Sequence, residues 1–137
     1  MPETPSSGQS RWIRAIAFLA GLLLAVIGVR FLIAPDGAAR AFGLAKEITG
    51  LELHHVIGLR DLWLGALAMA FAVLKEWRAL ALWFAFGAVV CVSDAGIAAA
   101  SSGRAGPITF HLVCGAICGA VAAWLARTRI LIDARGA

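Results

Sequence analysis

The sequence predicts an all-α integral membrane protein, a bundle of four transmembrane helices with both termini in the cytoplasm. Of the 137 residues, 61% are apolar and only 15% are charged, whereas about a quarter of the residues in a soluble domain are charged. The mean hydropathy is +0.88. Four apolar segments each approach the roughly 20 residues that a spanning helix needs. We therefore expect a multi-pass protein, with a bacterial inner membrane as its location.

The first span is predicted at residues 13–34. It follows residues 1–10, which are polar, contain two prolines and are expected to form a disordered tail. A basic start before an apolar core also fits a cleaved signal peptide, with residues 39–41 as a small-x-small cleavage site. Because Arg30 and Pro35 separate the core from that site and the apolar run is long, the sequence favours an uncleaved span.

A short helix and two further spans are predicted after the first span. Asp36 is predicted to cap a short helix at residues 38–44 that ends near Gly43. The second and third spans are predicted at residues 51–74 and 79–100. The charged turn between these two spans is short, so they should be antiparallel neighbours.

The fourth span is predicted at residues 108–126, with Pro107 suited to the start of its helix. A charged tail at residues 131–137 ends the chain. Residues 11–130 therefore form a single transmembrane domain.

Basic residues are distributed unequally between the two sets of helix ends, and positive charge in flanking loops marks the cytoplasmic side. One set carries Arg11, Arg14, Lys75, Arg78, Arg127, Arg129 and Arg135, and the other carries Arg40, Lys46 and Arg104. Both termini belong to the richer set. Trp12, Trp77 and Trp124 lie at the same predicted interface, which indole rings favour. No basic run long enough to follow a nucleic acid exists, so no nucleic-acid partner is expected.

Stripes of small residues mark one face of each of the last three spans. On the second span, His54, Gly58, Asp61 and Gly65 recur at helical spacing. The stripes of the other two spans are Gly87, Cys91, Asp94 and Ala98, and His111, Cys114, Gly115, Cys118, Gly119 and Ala122. Small residues let helices approach closely in lipid. The stripes should therefore face inward and carry Asp61, Asp94 and His111 into the bundle.

The residues predicted to be catalytic are Arg60, Asp61, Asp94 and His111. Ionisable groups within a span are costly and often mark a functional site. Arg60 lies about 100° around the helix from Asp61, and its preferred partner is Asp94 on the next span. An arginine between two carboxylates can keep one ionised while burial keeps the other protonated, which supplies a base and an acid. His111 would relay protons.

Other residues near these four are predicted to bind the substrate. They are His54, Arg30, Trp63, Gly58 and Gly65. Arg30 also fits a residue that extends to the membrane surface at a helix end.

Neither a metal nor another cofactor is expected. His54, His111, Asp61 and Asp94 have suitable ligand types, but no tight spacing motif joins them. The sequence has no glycine-rich phosphate loop and no CxxC pair. The three cysteines lie inside apolar segments, where helix packing is favoured over metal or redox roles.

Four short motifs are spread along the chain. They are Pro35 with Ala38, Ala39, Phe42 and Gly43; Arg60-Asp61-Leu62 with Gly65; Asp94; and His111-Leu112. On these residues the chain resembles a family of small four-helix membrane proteins catalogued as a domain of unknown function, over about residues 15–125. The resemblance implies a four-helix membrane protein and implies no particular activity.

The favoured hypothesis is a membrane-embedded enzyme that uses acid and base groups on a lipophilic small molecule. Epoxide hydrolysis, cyclisation or isomerisation suits the groups present. One alternative is a proton-coupled transporter or carrier subunit, although the cytoplasmic half offers no polar path. Another is a structural or accessory protein whose buried ion network fixes the helix register. The expected partners are the lipid bilayer and the substrate, and a homodimer is left open.

Overall fold

The computed structural model describes the backbone of residues 7–44 and 51–135 and the side chains of residues 11–44 and 52–127. Within these residues the chain is all-helical, as predicted, and contains no strand. The helices are α1 (Ser7–Ile33), α2 (Pro35–Phe42), α3 (Leu51–Leu74), α4 (Trp77–Ser101) and α5 (Ala105–Arg135). All except α2 are long and apolar enough to cross a membrane.

The outer helices extend beyond their predicted ends. α1 begins at Ser7, inside the predicted tail, and α5 continues to Arg135, past the predicted end at residue 126. Polar and charged residues such as Gln and Arg support helix well, so a change in polarity does not end a helix. The part of the predicted tail before Ser7, the polar connection at residues 45–50 and the last two residues lie outside the described residues.

The short helix α2 starts earlier than its predicted first residue. Pro35 occupies the start of the helix, where its missing N–H costs nothing. The prediction that Asp36 caps this helix is therefore wrong. Asp36 lies in the first turn, and Ala34 holds the cap position without a side-chain hydrogen bond. Gly43 ends α2 as predicted, with a left-handed φ of 112° that suits glycine.

Glycines bring α1 and α3 together as an antiparallel pair. A Cβ atom on Gly21 would lie 2.6 Å from the carbonyl oxygen of Gly65, and one on Gly28 would lie 2.6 Å from that of Gly58. Such contacts are too short for any side chain, so the two backbones touch directly. The small-residue stripe of α3 therefore packs against α1, as small residues do between membrane helices.

A second antiparallel pair is formed by α4 and α5. A Cβ atom on Gly115 would lie 3.2 Å from the Cβ atom of Cys91, and one on Gly87 would lie 3.7 Å from the Sγ atom of Cys118. These approaches are looser than those of the first pair. Cys91 and Cys118 are partly buried in this contact as free thiols. The stripes of α4 and α5 thus face each other.

The two helix pairs meet at the end of the bundle where Lys75 connects α3 to α4. We call this end the basic end and the opposite one the α2 end. The short turn makes α3 and α4 neighbours, as predicted, but their contact is slighter than those within the pairs. A buried core at the basic end joins all four long helices. Its residues are Ile13, Ala17, Ala72, Leu80, Phe84 and Leu125.

The outer surface of the bundle is apolar. At least half of the surface of several large side chains is exposed, including Leu19, Trp63, Leu82, Phe86 and Val89. Soluble monomers rarely expose such continuous apolar surface. The exposed surface therefore agrees with the length and composition of the four long helices.

Candidate acid and base site

The candidate site includes Asp61, which lies on the inward-facing stripe of α3. The four stripe positions predicted from helical phase, His54, Gly58, Asp61 and Gly65, are all buried. Asp61 is only 5% exposed. A carboxylate this deeply buried requires a hydrogen-bond partner.

That partner is the preceding residue. Both the Nε and the Nη2 atoms of Arg60 lie 2.9 Å from Oδ1 of Asp61, in a hydrogen bond and an ion pair. The preference for Asp94 as the partner of Arg60 is therefore wrong. The long arginine side chain turns back over its own helix, and half of it remains exposed. Both contacts involve Oδ1, and neither involves Oδ2.

Asp94 brings α4 into the same site. It is partly buried in the half of the α4 stripe that lies nearer the α2 end. The groups within its electrostatic range are His111, Arg60 and Asp61. We call these four residues the polar cluster. Its members come from α3, α4 and α5, and the cluster therefore lies where the two helix pairs face each other.

His111 is buried and bound to the short helix α2. Its Nε2 atom lies 3.1 Å from the carbonyl oxygen of Phe42, and the two ring centroids are 4.6 Å apart. A carbonyl only accepts, so Nε2 carries the hydrogen and donates it. The other ring nitrogen, Nδ1, is then the atom available for proton exchange.

Helix α2 lies across the end of the bundle opposite Lys75, where residues of α4, α5 and the turn between them contact it. The side chain of Arg104 donates a hydrogen bond to the carbonyl oxygen of Arg40. A Cβ atom on Gly43 would lie 2.7 Å from the Cβ atom of Ala98 and 3.0 Å from that of Pro107. With His111, these contacts fix the last turn of α2 against α4 and α5. Nothing in the sequence spacing indicates the roles of Arg104 and Phe42.

The predicted substrate-binding residues lie in different surroundings. His54 is 2% exposed, with its ring centroid 6.1 Å from that of Phe31. Trp63 is 60% exposed on the outer surface, and Arg30 is also exposed. Gly58 and Gly65 contact α1 directly and are enclosed by that helix. None of these five is among the groups that define the polar cluster, and their roles in binding stay predictions.

Metal ligation finds no geometric support among the described side chains. No group of three or more histidine, cysteine, aspartate or glutamate residues there is arranged to hold a metal ion. The set considered from the sequence, His54 and His111 with the two aspartates, is divided between separate contacts. His54 packs near Phe31, whereas His111 packs on Phe42.

The comparisons with known proteins identify a family. A family model described as Domain of unknown function (DUF4267) matches residues 21–125. Searches of curated proteins and of solved structures found no match. The resemblance inferred from the short motifs is confirmed.

Proposed function

The chain belongs to this family of unknown function, and we propose from its own residues that it is a membrane-embedded enzyme. It would be a multi-pass protein of a bacterial inner membrane, with both termini in the cytoplasm. Its polar cluster would act by acid and base catalysis on a lipophilic small molecule that enters from the bilayer.

The membrane placement is supported by the four long apolar helices and by the apolar outer surface. The orientation is supported by charge. Among the described side chains, the basic end holds Arg11, Arg14, Lys75, Arg78 and Arg127, and the α2 end holds Arg30, Arg40 and Arg104. Cytoplasmic flanks are the ones enriched in Lys and Arg. The polar cluster then lies in the half of the membrane farther from the cytoplasm.

The catalytic proposal is carried by two carboxylates on different helices, Asp61 and Asp94, that lie within electrostatic range of each other in unlike surroundings. Asp61 is bonded to Arg60, which stabilises its ionised form. Asp94 forms no ion pair with another described side chain, and His111 lies within its electrostatic range. Environments that separate two carboxylates in this way assign one as a base and the other as an acid.

Epoxide hydrolysis illustrates how the groups would divide the work. Oδ2 of Asp61 takes a proton from water as the water oxygen bonds to a ring carbon. The ring carbon–oxygen bond breaks, and Asp94 donates a proton to the departing oxygen. Nδ1 of His111 then helps return the proton from Asp61 to Asp94, so that one water is added overall. Cyclisation or isomerisation would use the same acid and base.

Replacing either carboxylate should abolish this chemistry. Asp61→Asn and Asp94→Asn should each lower turnover at least about 100-fold, because general acid and base catalysis typically contributes 10²–10⁴-fold. The assay would follow conversion of a panel of long-chain alkyl and terpenoid epoxides by protein reconstituted in nanodiscs, with products identified by mass spectrometry. Asp36→Asn is the matched control, since Asp36 is an exposed carboxylate on α2. Two folded Asn variants that retain wild-type turnover would refute the proposal.

A structural role is the second candidate, and the contacts of α2 favour it. The side chains of His111 and Arg104 both donate hydrogen bonds to carbonyl oxygens of α2. If the polar cluster is also purely structural, apolar replacement of Arg60, Asp61 and Asp94 together should preserve folding and cellular phenotype. A folded triple variant that loses its phenotype would exclude this role.

A further inference from the structure

An apolar cleft of about 480 Å³ opens between α1 and α3 at the basic end. Phe18 and Leu19 of α1 and Ala72 and Val73 of α3 form its apolar walls. Its volume lies within the range of about 300–1,000 Å³ that is typical of small-molecule sites. The cleft lies far along α3 from Asp61 and is separate from the polar cluster.

Two arginines lie at the mouth of this cleft. Arg11 and Arg14 both line it, one helical turn apart on α1. Phe18 follows on the same helix face, one turn beyond Arg14 and two turns beyond Arg11. The cleft therefore combines two positive charges at its outer end with apolar surface that continues toward the middle of the helix.

A second cleft nearby provides a comparison. It has a volume of about 370 Å³ and lies between α1 and α5, also at the basic end. Its lining includes Trp12, Ile16, Val121 and Trp124 but no charged side chain. Arg11 and Arg14 thus distinguish the first cleft from the second, although other basic residues lie elsewhere at the basic end.

We propose that the first cleft is a binding site for an anionic phospholipid. The lipid phosphate would lie between Arg11 and Arg14, and an acyl chain would follow Phe18, Leu19 and Val73. Paired arginines suit a phosphate group, which accepts several hydrogen bonds and carries negative charge. This inference rests on the membrane placement proposed above and does not depend on catalysis by the polar cluster.

The test compares phosphatidylglycerol with phosphatidylcholine, which share acyl chains and differ in net charge. Protein extracted from membranes into a neutral detergent would be titrated with each lipid and examined by native mass spectrometry. Wild type should prefer phosphatidylglycerol. Each arginine near a membrane surface is worth about a fivefold change in affinity for an anionic lipid, so Arg11→Gln with Arg14→Gln should weaken binding about 25-fold.

Two further variants separate this site from general attraction to a basic surface. Arg78→Gln with Arg127→Gln removes two charges from the same end without altering the cleft lining, and it should weaken binding much less than the loss of Arg11 and Arg14. Val73→Trp should fill the cleft and weaken binding of both lipids. Excess inorganic phosphate should not displace phosphatidylglycerol, because the acyl chain contributes to binding.

Three results would overturn the lipid site in a membrane-extracted protein. They are equal binding of the two lipids, equal loss in the two double-arginine variants, and displacement by inorganic phosphate alone. Recovery of the chain in the soluble fraction would overturn the membrane placement and the lipid site together. Loss of turnover in the Asp61 and Asp94 variants bears only on catalysis, so the two proposals can fail independently.

Discussion

Asp61 shows how a buried charge is accommodated without a partner from another helix. Its carboxylate is nearly enclosed, and both contacts from Arg60 reach one of its oxygens. The arginine keeps half of its side chain exposed while it neutralises the charge. A flexible cation beside a buried anion therefore satisfies the anion locally, and among the described side chains Asp94 on α4 has no direct ion pair.

This arrangement makes Arg60 a stabilising residue as well as a candidate catalytic one. Arg60→Met should lower the free energy of unfolding by about 1–3 kcal/mol, because the buried acceptor on Asp61 loses its donor. Adding Asp61→Asn should recover most of this loss by removing the charge. Unfolding in detergent, followed by circular dichroism, would measure both effects.

The control for Arg60 is Arg40→Met, which changes an exposed arginine on α2. Only the backbone carbonyl of Arg40 takes part in the contact with Arg104, so this change should be nearly neutral. A double variant no more stable than Arg60→Met alone would contradict the role assigned to the Arg60 ion pair.

Among the helices, α1 and α3 form the tightest contact because glycine backbones meet at two points. The spacing between Gly21 and Gly28 equals the spacing between Gly58 and Gly65 on the opposing helix. The two pairs therefore come into contact when the helices run antiparallel. Such close approach maximises van der Waals contact, which drives helix association in lipid.

Alanine at either end of the Gly21 and Gly65 contact should separate α1 from α3. Gly21→Ala and Gly65→Ala should each destabilise the protein by about 1–3 kcal/mol, the usual cost of overpacking. Gly96→Ala on α4 is the matched control, because a Cβ atom there meets nothing within 4 Å. Thermal unfolding of the three variants in one detergent would compare them. Equal melting temperatures would contradict the close contact.

In the whole molecule, the interior between the two helix pairs changes from apolar at one end to polar in the other half. An apolar core joins them at the basic end, whereas the polar cluster and helix α2 occupy the other half. Polar groups from α3, α4 and α5 lie within electrostatic range of Asp94 where the two pairs face each other. The candidate site thus follows from the arrangement of pairs and not from any single helix.

The proposed orientation of the whole molecule can be measured with fusion reporters. Green fluorescent protein at the C-terminus should fluoresce, since both termini are proposed to be cytoplasmic. Alkaline phosphatase inserted after Gly103, in the turn between α4 and α5, should be active on the opposite side. Active phosphatase at the C-terminus would reverse the orientation and move the lipid cleft to the outer leaflet.

The sequence by itself determined that the chain is helical, where the four long helices lie apart from their exact ends, and which face of α3 is buried. Hydropathy and the spacing of small residues are local properties, so the stripe of His54, Gly58, Asp61 and Gly65 could be predicted and is buried. The phase also indicates why His55 is exposed. The same periodicity indicates that Trp63 lies away from the stripe, although it is predicted as a binding residue.

Only the tertiary structure decided which helices pair and which polar groups meet. The partner of Arg60 depended on a flexible side chain that can reach several acceptors, and helical phase cannot choose between them. The contacts of Arg104 and His111 with α2 join residues more than sixty positions apart. Local patterns contain no record of such distant contacts, because these depend on how the helix pairs pack in three dimensions.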